Sequence, residues 1–260
     1  MIPALFPAAL TAPKRKRRKR KKRRKPWAKL TGAGRLKRSA EYVAITGAAL
    51  VAISILWAGA YRFVSPPATL TMLERKLGGD VILHPWTKLE NISPHLVRAV
   101  IAGEDTRFCR HRGIDLEAIE KAVEESRRGK RLRGASTISQ QTAKNAFFWN
   151  GGGWARKGGE TWMTLLIETL WPKRRVMEVY LNVAEWGDGL FGAEAAAQAR
   201  FGKAAKDLSP YEAALLASVL PSPHKWRVHN PGPYVRGRAA TLRKRMEQVR
   251  RDGLDRCVLH

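Results

Sequence analysis

Three stretches of the chain carry residue types that can do chemistry. The first is Glu104-Asp105-Thr106-Arg107-Phe108-Cys109-Arg110-His111-Arg112-Gly113, where two adjacent carboxylates end an apolar segment. Leu96, Val97, Val100 and Ile101 recur before them at helical spacing, and Ser93-Pro94 reads as an N-cap followed by proline at the first helical position. A helix that runs far enough aims Glu104 at apolar surroundings and turns Asp105 about 100° away. Removal from water raises a carboxyl pKa and suits the group to accept a proton near neutral pH. A helix ended by Gly103 would instead leave a solvated acidic pair, and spacing alone leaves both readings open.

The second stretch is Gly134-Ala135-Ser136-Thr137-Ile138-Ser139-Gln140-Gln141-Thr142-Ala143-Lys144. Thr137-x-x-Gln140 is a capping box, so a helix starts there and its free N–H groups suit an anion. Thr137, Gln140, Gln141 and Lys144 recur at three- and four-residue intervals and form a polar face ending in a cation. Such a face serves water as readily as a ligand. The third stretch, Arg156-Lys157-x-x-Glu160, puts a cation and a carboxylate one helical turn apart, the spacing of an ordinary surface ion pair.

The elements around these stretches read as mostly helical. Asp115 caps a helix bearing Leu116, Ile119 and Val123 and ending at Gly129, and a basic loop follows at residues 127–133. Residues 147–159 combine aromatics, glycines and cations and are expected to form a loop with Phe148, Trp149 and Trp154 at a membrane interface. Val176, Val179, Tyr180 and Val183 form a buried stripe, read as scaffold. Further helices are expected up to Phe201, from Ser209 to Pro221 and from Tyr234 to Arg251. Val81-Ile82-Leu83 is a candidate short strand; no convincing sheet is expected.

The 260 residues carry a formal charge of +27, unevenly placed: residues 1–40 hold sixteen Lys/Arg and no acid. The unbroken run Lys14–Lys25, taken alone, would suit a nucleic-acid arm. However, the twenty residues Tyr42–Tyr61 hold no charge, and about 30 Å of helix matches a bilayer's hydrocarbon core. Lys and Arg crowd its N-terminal side, which places residues 1–40 in the cytoplasm and the rest outside. The basic run then meets anionic headgroups, not nucleic acid. The length of the apolar run favours an uncleaved anchor over a signal peptide ending near Ala58-Gly59-Ala60. The expected organisation is a basic tail (1–40), a transmembrane anchor (41–64), an extended linker (65–83) and a helical domain (84–252). Six His show no metal-binding spacing. Two cysteines are too few for a disulfide framework, and Cys109 and Cys257 are expected as free, partly buried thiols.

E-D-x-x-F-x-x-H-x-G at Glu104–Gly113 resembles the first signature of the family 51 peptidoglycan glycosyltransferases. G-x-S-T-x-x-Q-Q-x-x-K-N, Arg156-Lys157-x-x-Glu160, residues 173–182 and Leu220-Pro221-Ser222-Pro223 resemble four more, in the family's order. The resemblance implies a lysozyme-like helical domain with a small membrane-facing lobe. It implies inverting polymerisation of lipid II into glycan strands at the outer face of the bacterial inner membrane, with release of undecaprenyl diphosphate. In that reading Glu104 is the general base and Glu160 the second carboxylate. Lys144, Arg156 and Lys157 hold the diphosphate, and Asp105, Phe108, His111, Ser136, Thr137 and Gln140 belong to the substrate site. Partners would be lipid II, the growing strand, the membrane and other cell-wall synthesis or division proteins. Some relatives use a divalent cation, Mg or Mn, on the diphosphate; no residue cluster in the sequence decides whether this chain does. Gly151-Gly152-Gly153 stands where many relatives carry an Arg, so the resemblance does not carry over one phosphate contact of the family. Two rivals stay open on sequence: a lytic enzyme on the same scaffold, and an anchored binding protein whose basic tail carries the function.

Overall fold

The computed structural model describes residues 32–129, 136–149 and 151–260. The basic run 14–25, most of the basic loop at 127–133, and Gly134-Ala135 lie outside them. The chain divides into two compact units, Met1–Ala49 and Leu50–His260. Helix α1 (Gly32–Phe63) is, among the described residues, the one helix long and apolar enough to cross a membrane. Its Val43, Ile45, Leu50, Ile53 and Leu56 are exposed, as side chains that meet lipid would be.

In the second unit the C-terminal end of α1 is part of the folded body. Ala58 is buried, and its carbonyl accepts a hydrogen bond from Trp171 Nε1 at 2.7 Å. The Tyr61 ring stacks on Phe147, which Trp57 meets edge-on. Arg175 donates to the Tyr61 and Val64 carbonyls at 2.8 Å, satisfying acceptors that a helix end leaves open.

Residues 65–83, expected to be an extended linker, contain helix α2 (Leu70–Leu77). Thr69 caps it by accepting from Met72 N, and Met72 is buried, so local capping and one apolar anchor override the Pro66-Pro67 signal. Leu83 then makes one bridge to Leu190, in the small hairpin of β1 (Glu185–Gly187) and β2 (Leu190–Phe191). Gly189 sits at φ +70, and a Cβ there would lie 2.2 Å from the Val81 carbonyl oxygen; only glycine lets the two backbones approach.

The body is built on α3 (Pro94–Glu104), whose Leu96, Val97, Val100 and Ile101 are all fully buried. It packs against α9 (Pro210–Val219) and α10 (Pro233–Arg251). A second layer consists of α5 (Ile138–Phe147) packed on α6 (Trp154–Leu170) and α7 (Lys173–Val183). α4 (Leu116–Arg127) lies on the outside, with no residue fully buried, and α8 (Ala193–Phe201) follows the hairpin.

α6 begins at Trp154, so the expected loop 147–159 is shorter than composition suggests. Its Gly159 lies under the Phe148 ring, where a Cβ would come within 3.0 Å, so this glycine serves close packing inside a helix. Beyond α10, a short helix α11 (Arg256–Leu259) carries Cys257 to Cys109. The two expected thiols form a disulfide, with Cα atoms 5.6 Å apart and a sequence separation of 148. That separation is why spacing could not reveal the bridge: it exists only because α11 folds back on the segment after Glu104.

Candidate active site

α3 does run to its carboxylate: Glu104 is its last residue and Asp105 its C-cap. Glu104 has 13 % of its side chain exposed. Gln141 Nε2 of α5 donates to Glu104 Oε2 at 3.1 Å, and Arg238 of α10 reaches Oε1 at 3.4 Å. Burial pushes the Glu104 carboxyl above the ordinary value; the Gln141 hydrogen bond and the Arg238 charge oppose this, and the Asp105 charge adds to it. Behind Gln141, Tyr180 OH of α7 donates to its Oε1 at 3.2 Å, which settles the amide orientation. Burial first, then the Glu104 and Asp105 charges, drive the Tyr180 pKa upward, so it stays a protonated donor.

Asp105 turns away from this group. Its carboxylate accepts from His111 Nε2 at 2.9 Å and from the Ile138 N–H at 3.0 Å, the first helical amide of α5. Gly113 N–H donates to His111 Nδ1 at 3.2 Å, so the ring hydrogen facing Asp105 is on Nε2. Gly113 has φ +90, and a Cβ there would meet Thr164 at 2.8 Å. Phe108 is fully buried beneath Lys173, whose ammonium stands 4.3 Å from the ring centroid. Thr137 is buried too: its hydroxyl donates to the Gly113 carbonyl and accepts from Gln140 N–H, while Gln140 Oε1 accepts from Thr137 N–H. His111 and Thr137, expected at the substrate, link the segment after α3 to the start of α5, Phe108 packs under Lys173 at the start of α7, and Gln140 completes the cap. Ser136 is exposed beside that cap.

Lys144, one turn after Gln141, lines a cleft of about 290 Å³ together with Gln141, Tyr180, Glu185, Leu220 and His224. Burial, then the Arg156 charge, lowers its pKa. Among the described residues it has no carboxylate within ion-pair distance. The other two expected cations are paired: Arg156 and Lys157 both bind the buried Glu160, Lys157 at 3.2 Å. Arg156 also donates to the Gly152 carbonyl at 3.1 Å, in the glycine run that replaces the expected Arg. The site therefore offers a buried carboxylate between neutral and cationic donors, and an unpaired, partly desolvated cation opening on a cleft.

Asp105, His111 and Asp115 bring ligand atoms within 4.8 Å of one another, but they do not fit a resident metal ion. Both His111 nitrogens are engaged, and Asp115 Oδ1 caps α4 by accepting from Ala118 N–H at 3.0 Å while Oδ2 faces Arg107 at 3.4 Å. Glu104 and Glu160 are likewise held by their own donors.

A family model described as Transglycosylase matches residues 74–249. The chain belongs to the transglycosylase family. It is an enzyme of glycosyl transfer, and its eleven α-helices among the described residues agree with the lysozyme-like helical class. It is 55 % identical over 225 residues to the biosynthetic peptidoglycan transglycosylase of Rhodospirillum centenum, covering 86 % of this chain and 96 % of that one. The proteins of the same name from Caulobacter vibrioides and Pseudomonas aeruginosa are each 52 % identical, over 198 and 205 residues. Each match covers 76 % of this chain, and 86 % and 88 % of theirs.

Sequence reasoning missed three residues of this geometry. Arg238 comes from the expected helix Tyr234–Arg251, which carries no expected site residue, and Tyr180 from a stripe read as scaffold. Gln141 was on the polar face but was not among the expected site residues. A buried tyrosine among aliphatics is the one available signal, since its hydroxyl needs a partner.

Proposed function

We propose that the chain polymerises lipid II into linear peptidoglycan strands by inverting glycosyl transfer, with Glu104 as general base. The supporting observation is the Glu104 carboxylate, mostly buried, held by Gln141 and Arg238, and shifted toward a proton affinity useful near neutral pH. It would remove the proton of the acceptor's 4-hydroxyl as that oxygen attacks the donor's anomeric carbon. Displacement from the opposite face inverts that carbon and expels undecaprenyl diphosphate, as in inverting glycosidases with a sugar hydroxyl in place of water. Lys144 lines the cleft and, among the described residues, has no carboxylate partner, so it would meet the departing diphosphate. Glu160 holds Arg156 and Lys157 in fixed geometry, so it orients the cations. These side chains take up the leaving-group charge, and a divalent ion on the diphosphate would share it.

The relatives' names supply the peptidoglycan context. The apolar helix α1, preceded by Lys/Arg, supports an inner-membrane anchor with the basic tail cytoplasmic and the catalytic unit periplasmic. The disulfide supports the same orientation, because such bridges persist in oxidising compartments. Purified protein incubated with labelled lipid II should yield polymer on a gel and release undecaprenyl diphosphate. Soluble fragments cut from finished glycan, with no polymer from lipid II, would instead establish a lytic enzyme.

A further inference from the structure

The segment Gly253–His260 lies beyond residue 249, where the family match ends, yet it is tied to the helical body at several points. Asp255 has only 2 % of its side chain exposed, and its Oδ2 accepts from Arg98 Nε at 2.7 Å. Arg98 is on α3, six residues before Glu104. Cys257 is bonded to Cys109, four residues after Asp105. Val258 is fully buried in the core, and its carbonyl accepts from Arg174 of α7, the helix that carries Tyr180. Leu254 N–H donates to the Val249 carbonyl at 2.9 Å, fixing the end of α10, the helix that carries Arg238.

We infer that Gly253–His260 is a strap that positions Glu104, with Asp255 and Cys257 as positioning residues for the transfer reaction. It joins the helix that presents the carboxylate, the segment that follows it, and the two helices that supply Tyr180 and Arg238. The groups facing Glu104 are Gln141 of α5, Arg238 of α10, Tyr180 of α7 and its neighbour Asp105. Three of those four sit on elements the strap holds. Displacing a reacting group by about 1 Å can cost on the order of a hundredfold in rate, so a partial loosening should register in turnover before it registers in binding. This inference rests on the proposal that Glu104 is the base.

The test uses full-length protein in detergent and initial rates of lipid II polymerisation across substrate concentration and pH. Four forms are compared: oxidised wild type, wild type reduced without denaturant, Cys109→Ser/Cys257→Ser, and Asp255→Asn. Reduction by a dithiol adds two electrons and two protons to give two thiols, while the reductant closes to its own disulfide; a maleimide mass shift reports it. Altered forms should lose about tenfold in kcat, with KM changing by less than about twofold. The acid limb of kcat/KM should move to lower pH as Glu104 gains water, and reoxidation should restore the wild-type profile. If the double variant does not fold, the reduced wild type and Asp255→Asn decide. A lower Tm with unchanged kcat and acid limb, measured well below that Tm, would overturn the inference and leave the strap a stability device. Glu104→Gln in the same assay separates the two proposals. Full activity there removes Glu104 as base and the strap's role with it. Inactivity there, beside unaltered strap variants, overturns the strap alone.

Discussion

At the scale of single residues, the site depends on charges kept partly out of water. Because the folded-state pKa of Glu104 is raised, the native state holds that proton more tightly than the unfolded chain. The resulting destabilisation is absent below the unfolded value and grows as pH rises through the folded one. Glu104→Gln should therefore raise Tm more at about pH 7 than at about pH 4, while lowering polymer formation at least about a hundredfold. Calorimetry at both pH values and the gel assay check the two halves; normal polymerisation would make Glu160 the next candidate base. Lys144 is the cationic counterpart. Its lowered pKa means that the folded state disfavours its charge, so Lys144→Ala should not reduce Tm. Its turnover should still fall at least about tenfold, as for loss of a charge-assisted contact to the diphosphate. Near-normal turnover with Arg156→Ala inactive would move the diphosphate to the other cation. Glu104, Lys144 and the Arg156–Glu160 pair were legible because their partners or directions lie within one helix. Arg238 was not, since a sequence separation of 134 from Glu104 carries no periodic signal.

At the scale of elements, helix ends were the most readable features. Ser93, Asp115, Thr137 and Ser209 each cap the helix their type and position predicted, because a cap is a contact across two or three residues. Elements whose stability comes from distant packing were not readable. Residues 154–159 look like a loop by composition, yet they form the first turns of α6, with Phe148 seated over Gly159. This divides the aromatic cluster. Phe147 is buried and Phe148 half-buried, whereas Trp149 is 51 % and Trp154 92 % exposed. The two tryptophans are the side chains available to a bilayer. In full-length protein reconstituted with brominated lipid, Trp149→Ser/Trp154→Ser should abolish a lipid-quenched part of the tryptophan fluorescence. Phe148→Ser should instead lower Tm. Quenching that is unchanged in the double variant would place both rings in water.

At the scale of the whole molecule, two unrelated observations bear on orientation. The charge asymmetry around Tyr42–Tyr61 is a property of the sequence alone, whereas the Cys109–Cys257 bridge is a property of the fold. Both support the proposed orientation: the first argues for residues 1–40 on the cytoplasmic side, the second for the unit Leu50–His260 where thiols are oxidised. A bridge closing so long a loop contributes about 2–5 kcal/mol, a large fraction of a domain's net stability, so a catalytic unit retained in a reducing cytoplasm would be substantially weaker. Because the chain's two cysteines are both in the bridge, introduced thiols report without background. Ala8→Cys should react with a membrane-impermeant maleimide only after spheroplasts are lysed, and exposed Lys206→Cys should react while they are intact. The reverse pattern would invert the proposed topology. Labelling at neither position before lysis would leave the catalytic unit inside, where lipid II polymerised at the outer face could not reach it.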